Sequence, residues 1–324
     1  MLNNKVILVT GGTGSFGRKF VEVVLRDYRP KKLIVFSRDE LKQHEMSQVF
    51  PDGGDSPMRY FIGDVRDLGR LQRALRGVDL VVHAAALKQV PACEYNPFEA
   101  IKTNVLGSKN VIDACLDMKV DKLMAISTDK AVNPVNLYGA TKLCAEKIMV
   151  QGNSYSTEGG TKISVCRYGN VLGSRGSVVP VFRKQRASGT ITVTDARMTR
   201  FWITLEQGVQ FVLNCIEHMH GGEVFVPKIP AMSILGLAQA MAPECSVNYV
   251  GIRPGEKIHE VLMSEDEARQ ALETENMYVI KPQRPWWKEE NWSQAKAVAE
   301  GFAFVSNNCP QLTPAELLTM IEGV

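Results

Sequence analysis

The sequence predicts an α/β protein, with a doubly wound parallel sheet in its first half and a smaller, less regular α/β region in its second. Two observations carry this. Short apolar runs rich in β-formers recur through the first 170 residues, and stretches with helical periodicity separate them. Continuous apolar strands alternating with helices imply a parallel sheet covered on both faces. After about residue 170 the alternation loosens into loops containing Gly and Arg, broken by Pro180, Pro227, Pro230, Pro243, Pro254, Pro282 and Pro285.

Strands are expected at Val6–Thr10, Leu33–Ser37, Tyr60–Gly63, Leu80–Ala84, Leu123–Ser127 and Ile163–Arg167. Phe20, Val23 and Val24 mark one apolar helix face after the first strand, and 105–116 form a periodic helix downstream of Pro97. No internal repeat or low-complexity segment is visible. With 324 residues, 45% of them hydrophobic, the chain can bury a large core and carry a second lobe. Lys and Arg exceed Asp and Glu by only 38 to 35, without a long basic run, so neither nucleic acid nor a membrane is expected as partner. No apolar run approaches the roughly 20 residues of a membrane span. The N-terminal residues 1–5 lead directly into a strand without an export signal, so a cytoplasmic protein is expected. Seven dispersed cysteines, none in a C-x-x-C pair, suggest reduced packing residues. His218 and His220 are too close in sequence to share a helix face, and no metal is expected.

The first strand runs into Thr10-Gly11-Gly12-Thr13-Gly14-Ser15-Phe16-Gly17, which opens a helix. Gly12, Gly14 and Gly17 satisfy G-x-G-x-x-G in strand, turn, helix context, where the backbone can approach a pyrophosphate and helix amides can hold its charge. The sheet is therefore a Rossmann sheet. At the end of the second strand stand Ser37, Arg38, Asp39, Glu40, Leu41 and Lys42. An arginine here suits the 2′-phosphate of NADP, so NADP is the expected cofactor; the alternative is that Arg38 decorates a turn and Asp39 holds the ribose of NAD. Asp64, before Val65, either meets the adenine amino group or caps the next helix. The cofactor surface is expected along Gly11, Thr13, Gly14, Ser15, Phe16, Gly17, residues 37–42, Asp64, Val65, Ala84, Lys88, Tyr138 and Lys142.

Thr128, Asp129 and Lys130 follow the fifth strand, and Tyr138 and Lys142 share a face of the helix beyond. A tyrosine is a poor base at neutral pH, but a neighbouring ammonium and a cationic nicotinamide both favour its phenolate. Spacing alone is weak, since Tyr28 and Lys32 repeat it around Pro30. Position decides: ligands gather outside the carboxyl ends of such strands.

Together the glycine turn, His83-Ala84-Ala85-Ala86, Asn104-Val105-Leu106-Gly107 and Tyr138 to Lys142 resemble the extended short-chain dehydrogenase/reductases along essentially the whole chain. Segments 37–42, 86–88, 128–130, 167–171, 197–202 and 251–257 are similar to the UDP-N-acetylglucosamine 4,6-dehydratases that invert C5, nearest to the branch that opens pseudaminic acid synthesis, which feeds flagellin glycosylation. The resemblance implies oxidation at C4 by NADP, loss of water across C5 and C6, and return of the hydride to C6. C5-retaining relatives carry Asp-Glu where this chain has Asp129-Lys130, which points to the inverting branch. It assigns Asp129 as acid toward the C6 oxygen, Lys130 as base at C5, and Tyr138, beside Lys142, as the residue that serves C4 oxidation. The Lys130 pKa is expected to be lowered by burial and by the Lys142 charge. Thr128 hydrogen-bonds the C4 oxygen or only caps the turn.

Arg253 and the loop containing Arg175 are candidates for the diphosphate. Asn170, Val171 and Glu256 are candidates for the sugar or uridine. Arg197 and Arg200 are either further contacts or structural residues beside Phe201 and Trp202, and Lys88 reaches the nicotinamide ribose or the sugar, or is a solvated loop charge. The division expected is an NADP-binding core at 1–170, with a segment near 200–228 returning to it, and a substrate-binding region at 171–199 and 229–324. Relatives are commonly dimers or larger, so a homo-oligomer is expected. Rival readings are a UDP-sugar 4-epimerase, a capsule-pathway dehydratase/epimerase, and a silent NADP-binding scaffold, which predicts broken catalytic positions that this chain does not have.

Overall fold

The computed structural model describes residues 1–173, 178–284 and 286–322. The elements in chain order are β1 (Val6–Thr10), α1 (Ser15–Asp27), β2 (Lys32–Ser37), α2 (Glu40–Val49), β3 (Met58–Ile62), α3 (Leu68–Ala74), β4 (Leu80–His83), α4 (Val90–Tyr95) and α5 (Pro97–Ile101). A π-helical turn (Lys102–Leu106) then leads to α6 (Gly107–Asp117), β5 (Lys122–Ile126), α7 (Leu137–Gly152), β6 (Lys162–Cys166), β7 (Asn170–Val171), α8 (Val178–Arg186), β8 (Thr190–Val193), β9 (Thr199–Ile203) and α9 (Leu205–His218). The remainder is β10 (Val224–Pro227), β11 (Ala231–Ser233), α10 (Ile234–Met241), β12 (Ser246–Tyr249), β13 (Val261–Met263), α11 (Glu265–Ala268), β14 (Ala271–Glu273), β15 (Met277–Ile280), β16 (Lys296–Ala297), β17 (Phe304–Val305) and α12 (Pro314–Glu322).

The six expected strands form, each ending within about two residues of its predicted limits. They lie in one sheet of order β16-β14-β15-β10-β6-β5-β4-β1-β2-β3, parallel from β10 to β3. β1 and β4 are wholly buried, as a strand covered by helices on both faces must be. The chain leaves β1 toward β2 and β3, then crosses back to β4 on the other side. That reversal opens a crevice beyond the carboxyl ends of β1 and β4.

Residues 200–228 return to this sheet through α9 and β10. The 229–324 segment, expected with the substrate-binding region, divides: β14, β15 and β16 extend the large sheet antiparallel to its parallel part. Trp286 and Trp287, for which the sequence offers no catalytic role but a cover for the substrate lobe or an interface, belong to this edge, where their indole N–H groups donate to Ser154 and to the buried Glu223. A second apolar core, including Phe182, Ile191, Trp202, Leu237 and Leu317, sits in the smaller lobe. β9 serves both cores, Phe201 packing into the large one and Trp202 into the small one, as strand alternation requires.

Behind the sheet ends lies a buried charge network. Arg167 is 1% exposed and donates to Glu146 and Glu267 at 2.6–3.1 Å, while Ser127 donates to Glu146. Removing one partner strands the other charges in a low-dielectric interior. Arg167→Met is expected to lower the unfolding free energy by about 3–5 kcal/mol in urea denaturation, whereas a loss below about 1 kcal/mol would mean that Glu146 and Glu267 find other partners.

Candidate active site

A cleft of about 640 Å³ opens at the crevice, lined at one end by the glycine turn and at the other by Thr128, Asp129, Lys130, Tyr138 and Lys142. The turn is shaped for close approach. Gly11 has φ +65°, and a Cβ there would lie 2.9 Å from the Ala85 backbone. At Gly17 a Cβ would come within 2.4 Å of Gly12, so α1 can lie against its own entry turn only with glycine there. No side chain caps α1 and its first turn has no acidic residue, which leaves its N-terminal amides open to an anion. These features fit a dinucleotide pyrophosphate.

Ser37, Arg38, Asp39 and Lys42 line the same cleft, but Glu40 and Leu41 do not. Asp39 caps α2 by accepting from the Lys42 amide and also pairs with the Lys42 ammonium. Asp64 and Val65 line the cleft as well. Asp64 is not the cap of α3, a role taken by Asp67; its carboxylate accepts from Arg66 and faces Arg38 at 3.5 Å.

On the catalytic side, Thr128 caps a 3₁₀ turn over Asp129–Ala131, and its hydroxyl donates to Asp129 Oδ1 at 2.8 Å. α7 packs directly on this turn, for a Cβ at Gly139 would lie 2.1 Å from the Lys130 carbonyl oxygen. Asn136 caps α7 through the Gly139 amide and donates to Gly255, tying the 251–257 loop to the site. The π-helical turn brings Asn104 to Leu87, where it accepts from the amide and donates to the carbonyl, and it also donates to Thr141. That clamp sets the loop carrying Ala84 and Lys88 against α7.

The electrostatics revise one expectation. Burial works against the Lys130 ammonium, but Asp129 Oδ1 at 3.1 Å and Glu260 Oε1 at 3.2 Å outweigh it and the opposing Arg200, so the Lys130 pKa is raised, not lowered. Lys142 is instead the depressed amine: burial takes it to about 8 against the attraction of Glu146, and its Nζ donates to the Ile126 carbonyl at 2.8 Å. Burial raises the Tyr138 hydroxyl to about 12, while Lys130 and Thr128 pull it down. The cation acting on Tyr138 in the free protein is thus Lys130. Lys88 lines the cleft with its ammonium lowered by desolvation and by Lys130.

Of the expected substrate contacts, Asn170 and Val171 line the cleft, and Asn170 Oδ1 is buried without a hydrogen-bond partner. Arg197 is exposed and paired with Asp195, and Arg253 is exposed and faces Glu256 at 3.8 Å; none of Arg197, Arg253 and Glu256 lines the cleft. Arg200 is a structural residue here. It is buried, with N–H groups on the carbonyls of Thr199, Lys257 and Ile258 and its Nε 3.6 Å from Glu260. Arg175 lies outside the described residues. The sequence reading missed Tyr168, which stacks on Phe16 at the cleft, and Glu260, four residues beyond Glu256.

A family described as polysaccharide biosynthesis protein matches residues 7–282. The chain belongs to this family. It is 53% identical to the UDP-N-acetylglucosamine 4,6-dehydratase (inverting) of Campylobacter jejuni subsp. jejuni (strain 81-176), over 99% of this chain and 98% of that one. It is 42% identical to the UDP-glucose 4-epimerase of Rickettsia massiliae, over 86% of this chain and 84% of that one. Among solved structures it is similar to Pen from Bacillus thuringiensis, with TM-score 0.90 and 36% identity over 100% of this chain and 98% of that one. The doubly wound parallel sheet expected from the sequence is the fold this chain shares with that solved structure.

The low pKa of Lys142 has a thermodynamic consequence. Between about pH 8 and the ordinary lysine range the unfolded chain binds a proton that the native protein lacks, so this residue makes stability rise with pH across that window. Denaturation at a series of pH values is expected to show the stability of the wild-type protein rising relative to that of Lys142→Met across this window.

Proposed function

We propose that this protein is a nucleotide-sugar 4,6-dehydratase that takes UDP-N-acetylglucosamine and inverts C5, giving UDP-2-acetamido-2,6-dideoxy-β-L-arabino-hex-4-ulose. The observation that carries the reading is the Lys130–Asp129 pair, an amine and a carboxylate 3.1 Å apart on a turn packed against the helix of Tyr138, at the far end of a cleft that begins with a phosphate turn. An epimerase has no need of a paired acid and base for elimination.

The roles follow from that placement. Tyr138 takes the C4 hydroxyl proton as C4 is oxidised, with Lys130 and Thr128 favouring its phenolate. A dinucleotide held along the glycine turn would supply the hydride chemistry between C4 and C6. Passage of one proton from Lys130 Nζ to Asp129 Oδ1 turns the resting ion pair into a free amine and a carboxylic acid, with no change in total charge. The amine takes the C5 proton, made acidic by the C4 ketone, and the acid protonates the C6 oxygen, which leaves as water. A proton from solvent, added to C5 from the face opposite Lys130 as C6 takes the hydride, completes inversion. Asn170 and Val171 line the sugar end.

NADP is the proposed dinucleotide. Gly11, Gly14, Gly17 and the amides of Ser15 and Phe16 would hold its pyrophosphate, and Arg38, with Ser37 and Lys42, its 2′-phosphate. The engagement of Asp39 with the α2 N-terminus and Lys42 supports this choice over a ribose-binding carboxylate. Arg38→Ala is expected to weaken NADP+ binding at least about tenfold, the loss of one charge-assisted contact, while leaving NAD+ binding within a factor of about two; equal effects on both would favour NAD.

The reading is tested by incubating the protein with UDP-N-acetylglucosamine in deuterated water and following products by NMR. A 4-keto-6-deoxy sugar with solvent deuterium at C5 and L-arabino couplings is expected, and Tyr138→Phe should reduce its formation at least about a hundredfold. Retained configuration would remove the role of Lys130. UDP-N-acetylgalactosamine as product would make the protein an epimerase, the reading favoured by the Rickettsia relative.

A further inference from the structure

We propose that Glu260 is a positioning residue of the proton-transfer centre, a fixed counter-anion that holds Lys130 Nζ beside Asp129 and confines the mobile proton to that pair. This rests on the dehydratase reading and adds to it a residue outside the catalytic turn. Glu260 is 2% exposed, just before β13. Its backbone is locked to residue 306, with the Glu260 amide donating to Ser306 Oγ and the Ser306 amide donating to the Glu260 carbonyl, each at 2.9 Å. Its Oε1 lies 3.2 Å from Lys130 Nζ and 3.6 Å from Arg200 Nε. Arg200 is immobilised in turn by the carbonyls of Thr199, Lys257 and Ile258.

Lys130 Nζ donates to Asp129 Oδ1 and stands in an ion pair with Glu260 Oε1, and Lys130 itself lines the cleft. The charged and titratable groups acting on the Lys130 centre come from every side: Asp129 on its own turn, Glu260, Arg200 from β9, Tyr138 from α7, Lys88 after β4 and Lys257 from the loop before Glu260. Asp129 is hydrogen-bonded to Lys130 Nζ whereas Glu260 is ion-paired with Lys130 and Arg200, so Asp129 is the carboxylate placed to receive the Lys130 proton. A base on a flexible four-carbon stem needs such an anchor if it is to meet one face of C5.

The test compares the wild-type protein with Glu260→Gln. In cofactor-free protein labelled with 13C-lysine, the Lys130 signal, identified by its absence in Lys130→Arg, is followed with pH. Loss of one opposing charge is expected to lower its titration midpoint by about one unit or more. In protein loaded with NADP+, the alkaline limb of C5–H exchange in UDP-N-acetylglucosamine, where the pair loses its one proton, should move to lower pH with it, while KM stays within about threefold because Glu260 does not line the cleft. An unchanged midpoint in a folded variant overturns the proposal. Should Glu260→Gln not fold, Glu260→Asp, with its carboxylate withdrawn by one methylene, is expected to give a smaller downward shift, and a wild-type midpoint there overturns the proposal equally. A shifted midpoint in a wild-type and variant pair that exchanges no C5 proton would instead overturn the dehydratase reading.

Discussion

A side-chain carbon at Gly139 would stand 2.1 Å from the carbonyl oxygen of Lys130, and the site depends on the contact that its absence permits. With glycine there, the first turn of α7 seats on the 3₁₀ turn after β5, and Tyr138 comes to the same end of the cleft as Asp129 and Lys130. Asn136 caps the helix at that point and holds Gly255, while Asn104 clamps the neighbouring loop to Thr141. These are backbone and amide contacts, rigid and short-ranged, and they fix how α7 and the loop after β4 meet at this end of the cleft.

Around this turn the charges are arranged in two kinds of environment. Lys142 is buried with a carbonyl partner and only Glu146 to attract its proton, so its amine is depressed. Lys130 lies between two carboxylates and keeps its proton. The same residue type therefore takes opposite protonation tendencies twelve positions apart, a difference made by neighbours rather than by identity. Behind them, Arg167 spans Glu146 and Glu267 with matched charges, while residues lining the cleft carry buried polar atoms without a partner, Asp129 Oδ2 and Asn170 Oδ1 among them.

Much of the fold was legible because the parallel strands are buried on both faces and so appear as unbroken apolar runs. The glycine turn was legible because close approach of backbone to phosphate admits few other residues. Tyr138, Lys142, Thr128, Asp129 and Lys130 were found from their places after a strand and on one helix face, and the structure gathers all five on one cleft. The arginines fared differently. Arg197, Arg200 and Arg253 were attractive by charge, but Asp195 pairs with the first, carbonyls and Glu260 absorb the second, and the third stands exposed beside Glu256.

What the amino-acid sequence determined by itself was local: which runs become strands, where the chain turns around glycine, and which chemical groups stand at strand ends. What only the tertiary structure decided was which groups from distant segments face one another. Glu260 meets Lys130 across 130 positions of chain, and β14 to β16 complete a sheet begun at residue 6. The periodicities of helix and strand carry no signal for such pairings, because they record burial within one element and not the partner it meets. The protonation of Lys130 is decided at that level, since its field is set by carboxylates that only folding brings within 3.2 Å.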